Sequence, residues 1–188
     1  MCVLDIAGGT GILSRAIAPF AKNVICADLS QEMLNEGVKQ SKKEGVSNVD
    51  FKNVDVQHLP FQEDCFDLVV SRLGFHHFVE PYKILSEMDR VCKPGGTIEI
   101  VDMISPEENQ LFRLYNHYER LRDPSHVNAL KESNFIELFK YFELKIKHND
   151  IQNAPFNLRR WLELTKTDNQ IRKKLLMIWL TPKNEEVL

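Results

Sequence analysis

The segment that most constrains the fold is an apolar stretch that runs directly into a glycine cluster. Residues 2–6 (CVLDI) are apolar except for Asp5, and Gly8, Gly9 and Gly11 follow closely. An apolar run of this kind is typical of a buried strand, and glycines let the backbone turn sharply and approach a ligand. A helix-like pattern begins after Gly11. The sequence therefore predicts a strand–turn–helix unit whose turn can bind a ligand.

The same alternation continues through the first hundred residues. Further apolar runs lie at residues 23–27, 49–54, 66–71 and 97–103, and helix-like patterns lie at residues 11–20, 31–43 and 81–91. Repeated strand–helix–strand order predicts an α/β fold, a doubly wound, Rossmann-like, mostly parallel sheet with flanking helices. Ser30 is placed to cap the second helix, Pro81 suits the first turn of the third, and residues 93–96 (KPGG) end it.

The second half of the chain is predicted to be rich in helix. Helix-like patterns cover residues 107–121, 125–141, 158–166 and 169–180, and a period-two alternation predicts one further strand over residues 142–149. We therefore expect one domain over residues 1–188. Residues 1–104 form its α/β core, and residues 105–188 form a helical region.

Composition excludes several classes of protein. With 43% hydrophobic and 27% charged residues the chain is typical of a globular domain, and no apolar run is long enough to span a membrane. A net charge of −3 gives no reason to expect a nucleic-acid partner. The four cysteines form no metal-binding spacing, so we expect no metal, reduced thiols and a cytoplasmic location.

The sequence in and around the glycine turn, residues 7–11, distinguishes between the classes of ligand that it could bind. The Walker A pattern is absent, and Ser14 stands where a dinucleotide fingerprint has its third glycine. Asp5 lies two residues before the turn, where a carboxylate repels a pyrophosphate but attracts an ammonium or sulfonium group. These features argue against an NAD-dependent oxidoreductase, which stays the less favoured enzyme.

Polar residues also stand at the ends of the later strands. Asp28 ends the second apolar run, Asp55 follows the third, and Ser71 ends the fourth. Ligands bind at the carboxyl ends of parallel strands, so these positions are expected to converge on one crevice. Asp28 can accept hydrogen bonds from two ribose hydroxyls and Asp55 from an adenine amino group. Taken alone, Asp28 could equally be a helix cap.

Several linked motifs over residues 2–104 resemble class I S-adenosylmethionine-dependent methyltransferases. They are residues 5–11 (DIAGGTG), 28–30 (DLS), 55–61 (DVQHLPF), 66–71 (FDLVVS) and 91–96 (VCKPGG). Within that family the chain is similar to the small-molecule group related to ubiquinone and menaquinone biosynthesis. The resemblance implies S-adenosylmethionine as cofactor and methyl transfer to a small molecule by in-line displacement. It also implies that residues 1–104 are the cofactor-binding core and that residues 105–188 lie on the substrate side.

The resemblance also implies which residues bind the cofactor. These are Asp5, Ala7, Gly8, Gly9, Gly11, Asp28, Leu29, Met33, Asp55, Val56 and Ser71. Asp28 is expected on the ribose, Leu29 and Met33 against the adenine, and the Ser71 carbonyl near the methionine amine. Ala7 departs from the family, which usually has glycine there. Cofactor binding should survive this change unless Ala7 needs a positive φ.

Candidates for the chemistry lie just after the fourth strand and between two later helices. His76 or His77 could remove a proton from the acceptor, since imidazole titrates near neutrality, although both could equally be structural. Arg72, Phe75, His76, Arg122 and His126 are the candidate substrate residues. For Arg122 and His126 the alternative is a helix stop and restart around Pro124.

The fourth strand lacks the Pro-Pro motif of enzymes that methylate nucleic-acid amino groups, so the expected partner is a small molecule. A non-catalytic cofactor-binding or interaction protein stays open as another class. Family members usually have helices before the first strand and an antiparallel last strand, and we expect both to be missing from these 188 residues.

Overall fold

A computed structural model describes residues 1–153, 157–165 and 167–180. Its strands are β1 (Cys2–Ile6), β2 (Asn23–Asp28), β3 (Val49–Asn53), β4 (Phe66–Arg72) and β5 (Cys92–Val101). Its helices are α1 (Ile12–Ile17), α2 (Gln31–Glu44), α3 (Pro81–Val91), α4 (Asn109–Arg122), α5 (Glu132–Tyr141), α6 (Leu158–Leu164) and α7 (Asn169–Leu180). Single helical turns lie at Ala18–Phe20 and Phe75–His77.

The five strands form one parallel sheet in the order β3-β2-β1-β4-β5. From β1 the chain first builds outward to β3 and then returns to build β4 and β5 on the other side. The order of the strands thus reverses between β1 and β4, where the helices leave the sheet in opposite directions. In such sheets a crevice opens at that point, outside the carboxyl ends of the strands. This confirms the predicted fold class.

Local chemistry accounts for where the helices begin and end. Ser30 caps α2, since its hydroxyl accepts from the Met33 N–H at 3.3 Å. The left-handed Gly45 ends the same helix. Pro81 lies in the first turn of α3, where its missing N–H costs nothing. The chain passes from α3 directly into β5 at Cys92, so residues 93–96 belong to the start of that strand.

Apolar side chains pack on both faces of the sheet. One cluster joins Leu4 and Ile6 of β1 to Leu85 and Met88 of α3 and to Leu138 of α5. The other, smaller cluster lies under α1 and contains Val3, Val24 and Val70. The site-bearing end of β1 is therefore held rigidly between two packed layers.

The second half of the chain differs from the prediction in two places. Residues 142–149 do not form a strand: the chain turns at the end of α5, where the Leu144 N–H donates to the Phe139 carbonyl, and no described strand pairs with residues 145–149. The helix predicted over residues 125–141 begins only at Glu132. Residues 123–131 instead form an irregular segment tied to α4 and to the helical turn after β4.

The end of α4 contacts α6 and the residues that follow α6. The Arg122 carbonyl accepts from the hydroxyls of Thr165 and Thr167, at 3.2 and 3.1 Å. The Arg122 guanidinium lies 5.0 Å from the ring centre of Trp161, on α6. Among the described residues, no helix has the length and apolar character needed to cross a membrane.

Candidate functional site

A cleft of about 160 Å³ opens at the carboxyl end of β1. It is lined by Asp5, Ala7, Gly8, Gly9, Thr10, Ile12, Leu13, Met33, Arg72 and Leu73. The glycine turn supplies most of its wall, α2 supplies Met33, and the end of β4 supplies Arg72 and Leu73. The cleft thus lies at the strand-order reversal, where the topology predicts a ligand site.

Asp5 carries the unusual electrostatics of this cleft. Its side chain is fully buried, and one carboxyl oxygen accepts from the Ser14 hydroxyl at 2.6 Å. The other oxygen, Oδ1, is buried without a hydrogen-bond partner. Burial raises the pKa of Asp5 from 3.8 to about 6, and the Ser14 hydrogen bond only partly opposes this. An orphaned acidic oxygen in a cleft is suited to a cationic ligand.

The glycines of the turn stand where side chains would not fit. A Cβ at Gly8 would lie 2.6 Å from the Cys26 sulfur and 2.9 Å from an Asp5 oxygen. Gly9 has a φ of 57°, and a Cβ there would lie 2.8 Å from the Met33 methyl carbon. The backbone can therefore approach a ligand closely at this turn.

The room beside Gly11 is taken by a residue far along the chain. Gly11 has a φ of 70°, and a Cβ there would lie 2.6 Å from the Phe51 ring. A Cβ at Gly37 of α2 would meet the same ring. The Phe51 ring on β3 thus fills the space left by both glycines and fixes the distance between the turn and α2.

Ala7 adopts the left-handed conformation, with a φ of 51°. The side chain of an L-residue is unfavourable there by roughly 1–2 kcal/mol. Ala7 therefore needs a positive φ, and this is the case in which alanine in place of the family's glycine is expected to affect cofactor binding. Its Cβ also lies on the Gly74 side of the turn, since a Cβ at Gly74 would be only 2.9 Å away.

We expect Ala7→Gly to stabilise the protein by about 1 kcal/mol, because glycine adopts this φ without strain. The measurement is urea unfolding of the variant beside the wild type. Ala16→Gly, in the body of α1, is the matched control and should destabilise by about 1 kcal/mol. Lower stability of Ala7→Gly would show that packing of the native Cβ stabilises the protein by more than the strained backbone of Ala7 destabilises it.

Asp28, at the end of β2, ties the glycine turn to its neighbours. Its Oδ2 accepts from the Gly9 N–H and its Oδ1 from the Ser30 N–H, both at 2.8 Å. The second bond is the local turn of a helix start, so Asp28 has part of the capping role that its position also allows. Asn53, on the adjacent strand, donates to the carbonyls of Asp28 and Leu29 at 3.2 and 2.7 Å.

The other predicted strand-end residues surround this corner. The Val54 N–H donates to the Asp28 carbonyl, which brings residues 55 and 56 beside the end of β2. Asp55 is partly exposed and Val56 is buried. Leu29 and Met33 are 65% and 44% exposed, an apolar surface beside Asp28. Ser71 lies one residue before the end of β4, next to Ile6, and its buried hydroxyl has no hydrogen-bond partner.

The two candidate catalytic histidines have different environments. His76 is buried, and its Nδ1 lies 2.6 Å from Oδ1 of Asp102, which follows β5. His77 is partly exposed, and its Nδ1 lies 2.9 Å from the Ser125 carbonyl. Phe75 is buried in the core and packs edge-on against Phe78.

The candidate substrate residues Arg122 and His126 are both buried. Arg122 pairs with Glu119 at 2.7 Å inside the helical region. His126 Nε2 lies 2.7 Å from the Asn116 amide oxygen, which also accepts from the Ala129 N–H. Burial lowers the pKa of His126 to about 4, so this ring is neutral at pH 7. These contacts are those of a helix end and its following turn.

Of the predicted site residues, the cleft brings together Asp5, Ala7, Gly8, Gly9, Met33 and Arg72. Asp28 accepts from the Gly9 N–H but does not line the cleft. The other predicted site residues that do not line it are Gly11, Leu29, Asp55, Val56, Ser71, Phe75, His76, His77, Arg122 and His126. Sequence reasoning missed Thr10, Ile12, Leu13, Leu73 and Asp102. Asp102 could have been predicted, because it directly follows a strand, and polar residues near strand ends were the criterion for Asp28 and Ser71. Within the described ranges no group of three or more metal-ligating side chains is assembled.

Comparison with known families assigns this architecture. Residues 4–100, just over half of the chain, match the family described as a methyltransferase domain. The chain is 34% identical over 176 residues to YcgJ of Bacillus subtilis, an uncharacterised methyltransferase, and covers 69% of its length. It is 37% identical over 131 residues to a demethylmenaquinone methyltransferase of Clavibacter sepedonicus. It covers 53% of that relative, about half of its length.

Solved structures place the chain in the same group. The crystal structure of YcgJ from Bacillus subtilis superposes with a TM-score of 0.89 at 33% identity, over 98% of this chain and 79% of that one. A SAM-dependent methyltransferase from Aquifex aeolicus superposes with a TM-score of 0.53 at 28% identity, over 58% of this chain and 60% of that one. By its matched core, its sheet order and its glycine turn, this chain belongs to the S-adenosylmethionine-dependent methyltransferase family.

Proposed function

We propose that this chain binds S-adenosylmethionine at the carboxyl end of β1 and transfers its methyl group to a small molecule. The observation that carries the proposal is the buried, unpartnered Asp5 Oδ1 in the cleft of the glycine turn. An unsatisfied acidic oxygen suits a ligand with a positive charge, and it opposes the pyrophosphate of a dinucleotide. The residues present therefore fit this cofactor.

Because the cleft is small, only one part of the proposed ligand would lie inside it. About 160 Å³ is less than a typical small-molecule pocket of roughly 300 Å³ or more, so only the methionine end fits within it. The nucleoside would lie along the neighbouring strand ends, with its ribose on Asp28. Its adenine would contact Leu29 and Met33, with Asp55 and Val56 at its edge. The Ser71 carbonyl would face the methionine amine.

The cofactor supplies an electrophilic methyl carbon, and the protein's task is to position it. Asp5 holds the cationic end, the glycines let the backbone approach the ligand closely, and the exposed Arg72 lines the cleft. Holding the acceptor in line with the transferred group can account for much of the rate.

A small, ring-bearing acceptor is the class best supported by the relatives. The chain is 38% identical to a ubiquinone/menaquinone biosynthesis C-methyltransferase of Marinomonas and covers 48% of its length. Another relative is named for demethylmenaquinone. We extend to this chain only the class that these names share, a small molecule of quinone type.

Calorimetric titration tests the cofactor assignment. We expect S-adenosylhomocysteine to bind the purified chain and NAD to give no heat. Gly9→Val is the matched loss-of-site variant, because its side chain would meet the Met33 methyl group. Binding of NAD without binding of S-adenosylhomocysteine would overturn the proposal. Release of S-adenosylhomocysteine with a quinol acceptor then distinguishes a methyltransferase from a binding protein.

A further inference from the structure

His76 and Asp102 form a buried pair at the carboxyl ends of two adjacent strands. The His76 Nδ1 and the Asp102 Oδ1 are 2.6 Å apart. The two side chains are 6% and 2% exposed. The pair joins the loop after β4 to the loop after β5, on the side of β1 where the strand order reverses. Neither residue is needed for the proposed cofactor contacts.

Backbone donors fix Asp102 in place. Its Oδ2 accepts from the Phe75 N–H at 2.7 Å, and its Oδ1 also accepts from the Met103 N–H at 2.7 Å. The carboxylate is therefore oriented before it meets the imidazole. This is how a positioning carboxylate holds a histidine in one orientation and one tautomer.

The contacts determine the tautomer of His76. A carboxylate accepts hydrogen bonds, so Nδ1 carries the proton and Nε2 presents a free lone pair. No described residue donates to that Nε2. His126, whose ring centre lies 5.4 Å from that of His76, has the opposite tautomer, because its Nε2 donates to the Asn116 oxygen. His77 faces a backbone carbonyl and no carboxylate.

Along the chain, His76 closely follows two residues of the cleft wall. Arg72 and Leu73 line the cleft, and Gly74 packs against Ala7 of the glycine turn. His76 comes two residues later in the helical turn Phe75–His77. The His76 carbonyl accepts from the N–H groups of residues 127 and 128, which holds this turn under the irregular segment.

We propose that His76, oriented by Asp102, is the proton acceptor of the methyl-transfer site. The acceptor molecule then carries a hydroxyl, such as that of a phenol or a reduced quinone, or an acidic C–H. The inference rests on the proposed function and narrows its substrate class. An amine that is already neutral would not need this group.

With a hydroxyl acceptor, the reaction includes transfer of the hydroxyl proton to His76. Its O–H bond breaks and the proton bonds to His76 Nε2. The electron pair stays on the oxygen, or moves to a conjugated ring carbon, and forms the bond to the methyl group. After attack through a ring carbon, that carbon loses its proton and the oxygen regains one, which restores the aromatic ring. The former bonding pair of that methyl group stays on the donor sulfur. The new imidazolium lies against Asp102, which offsets its charge.

Steady-state kinetics with one defined methyl acceptor tests the role of His76 as the proton acceptor. With 1,4-dihydroxynaphthalene as probe, we expect His76→Gln to lower kcat by about 100-fold or more, the range of general base catalysis. Its affinity for S-adenosylhomocysteine should change by less than about threefold. His148→Gln, at an exposed position outside the site, is the matched control. Retained kcat in His76→Gln would overturn the inference.

A second measurement holds whether or not the probe is methylated. In the complex with S-adenosylhomocysteine, ¹⁵N-labelled histidine should show His76 protonated at Nδ1 and bare at Nε2 at pH 8. Asp102→Asn should reduce the population of that tautomer. A proton on Nε2 in the wild type would refute the inference and leave the proposed function standing. Failure to bind S-adenosylhomocysteine would instead remove the function on which it rests.

Discussion

Replacement of Asp28 by alanine should weaken S-adenosylhomocysteine binding at least about tenfold, or roughly 1.4 kcal/mol. Two losses add. The proposed hydrogen bonds to the ribose disappear, and so does the 2.8 Å bond that holds the Gly9 N–H. Without that bond the glycine turn is less ordered before the ligand arrives, so binding must also supply the ordering. Asp28→Asn keeps one acceptor oxygen, so its affinity should lie between those of the wild type and of Asp28→Ala.

Calorimetry of the matched variants measures this effect. Asp50→Ala is the control, since Asp50 is exposed at the start of β3, at the opposite end of the sheet from the cleft. Its affinity should equal that of the wild type. Unchanged affinity in Asp28→Ala would remove Asp28 from the cofactor site and leave it only the role of a helix-start residue.

Asp5→Asn should make the protein more stable and less able to bind its cofactor. The pKa of Asp5 is about 6 in the folded chain, against 3.8 for the free side chain. Between those values the folded state holds a proton that the unfolded state has lost, so stability falls as pH rises. The contribution is complete below pH 3.8 and lost above pH 6. At pH 8 the variant should gain roughly 2–3 kcal/mol, and at pH 3.5 almost nothing.

Chemical unfolding across pH 3.5–8 measures that gain, with Asp50→Asn as the control. The wild-type curve alone is less informative, because His126 has the opposite slope. Its lowered pKa of about 4 means that the folded state loses stability as pH falls below 6.5. A gain in Asp5→Asn that does not vary with pH would contradict a raised pKa of Asp5 in the folded chain.

The affinity for the cofactor should also depend on the ionisation of Asp5, but it should increase with pH where the stability decreases. An ionised Asp5 favours a cationic ligand, so wild-type affinity for S-adenosylmethionine should rise as pH rises through about 6. In Asp5→Asn this dependence should vanish and affinity at pH 8 should fall about tenfold or more. Equal affinity in the two proteins at pH 8 would contradict the role assigned to Asp5.

The parts of the site that local sequence encodes were predictable. The strand ending in Asp5, the glycine turn and the Ser30 cap each depend on neighbours within a few residues. Asp28 and Ser71 were found because parallel strands bring their ends together. The contacts that define Asp102 were harder to foresee, since the pair with His76 spans 26 residues and depends on how two loops meet.

The errors arose where local pattern and tertiary partners disagree. Residues 142–149 alternate as a strand does, yet a strand needs a paired neighbour, and no described strand lies beside this segment. Residues 125–131 have helical spacing, but Asn116 binds the backbone of Ala129 and the ring of His126. Those bonds compete with helix formation, and only the tertiary fold shows them.

Phe51 has a consequence for redesign of the cofactor turn. Its ring takes up the room beside Gly11 and Gly37, so these three positions share a single volume although they lie on a loop, a helix and an edge strand. A larger residue at either glycine requires a smaller one at position 51, and at Gly37 the Thr10 carbonyl, 2.8 Å from an added Cβ, must move as well. Engineering for a bulkier cofactor analogue therefore has to treat the edge strand and the turn as one unit.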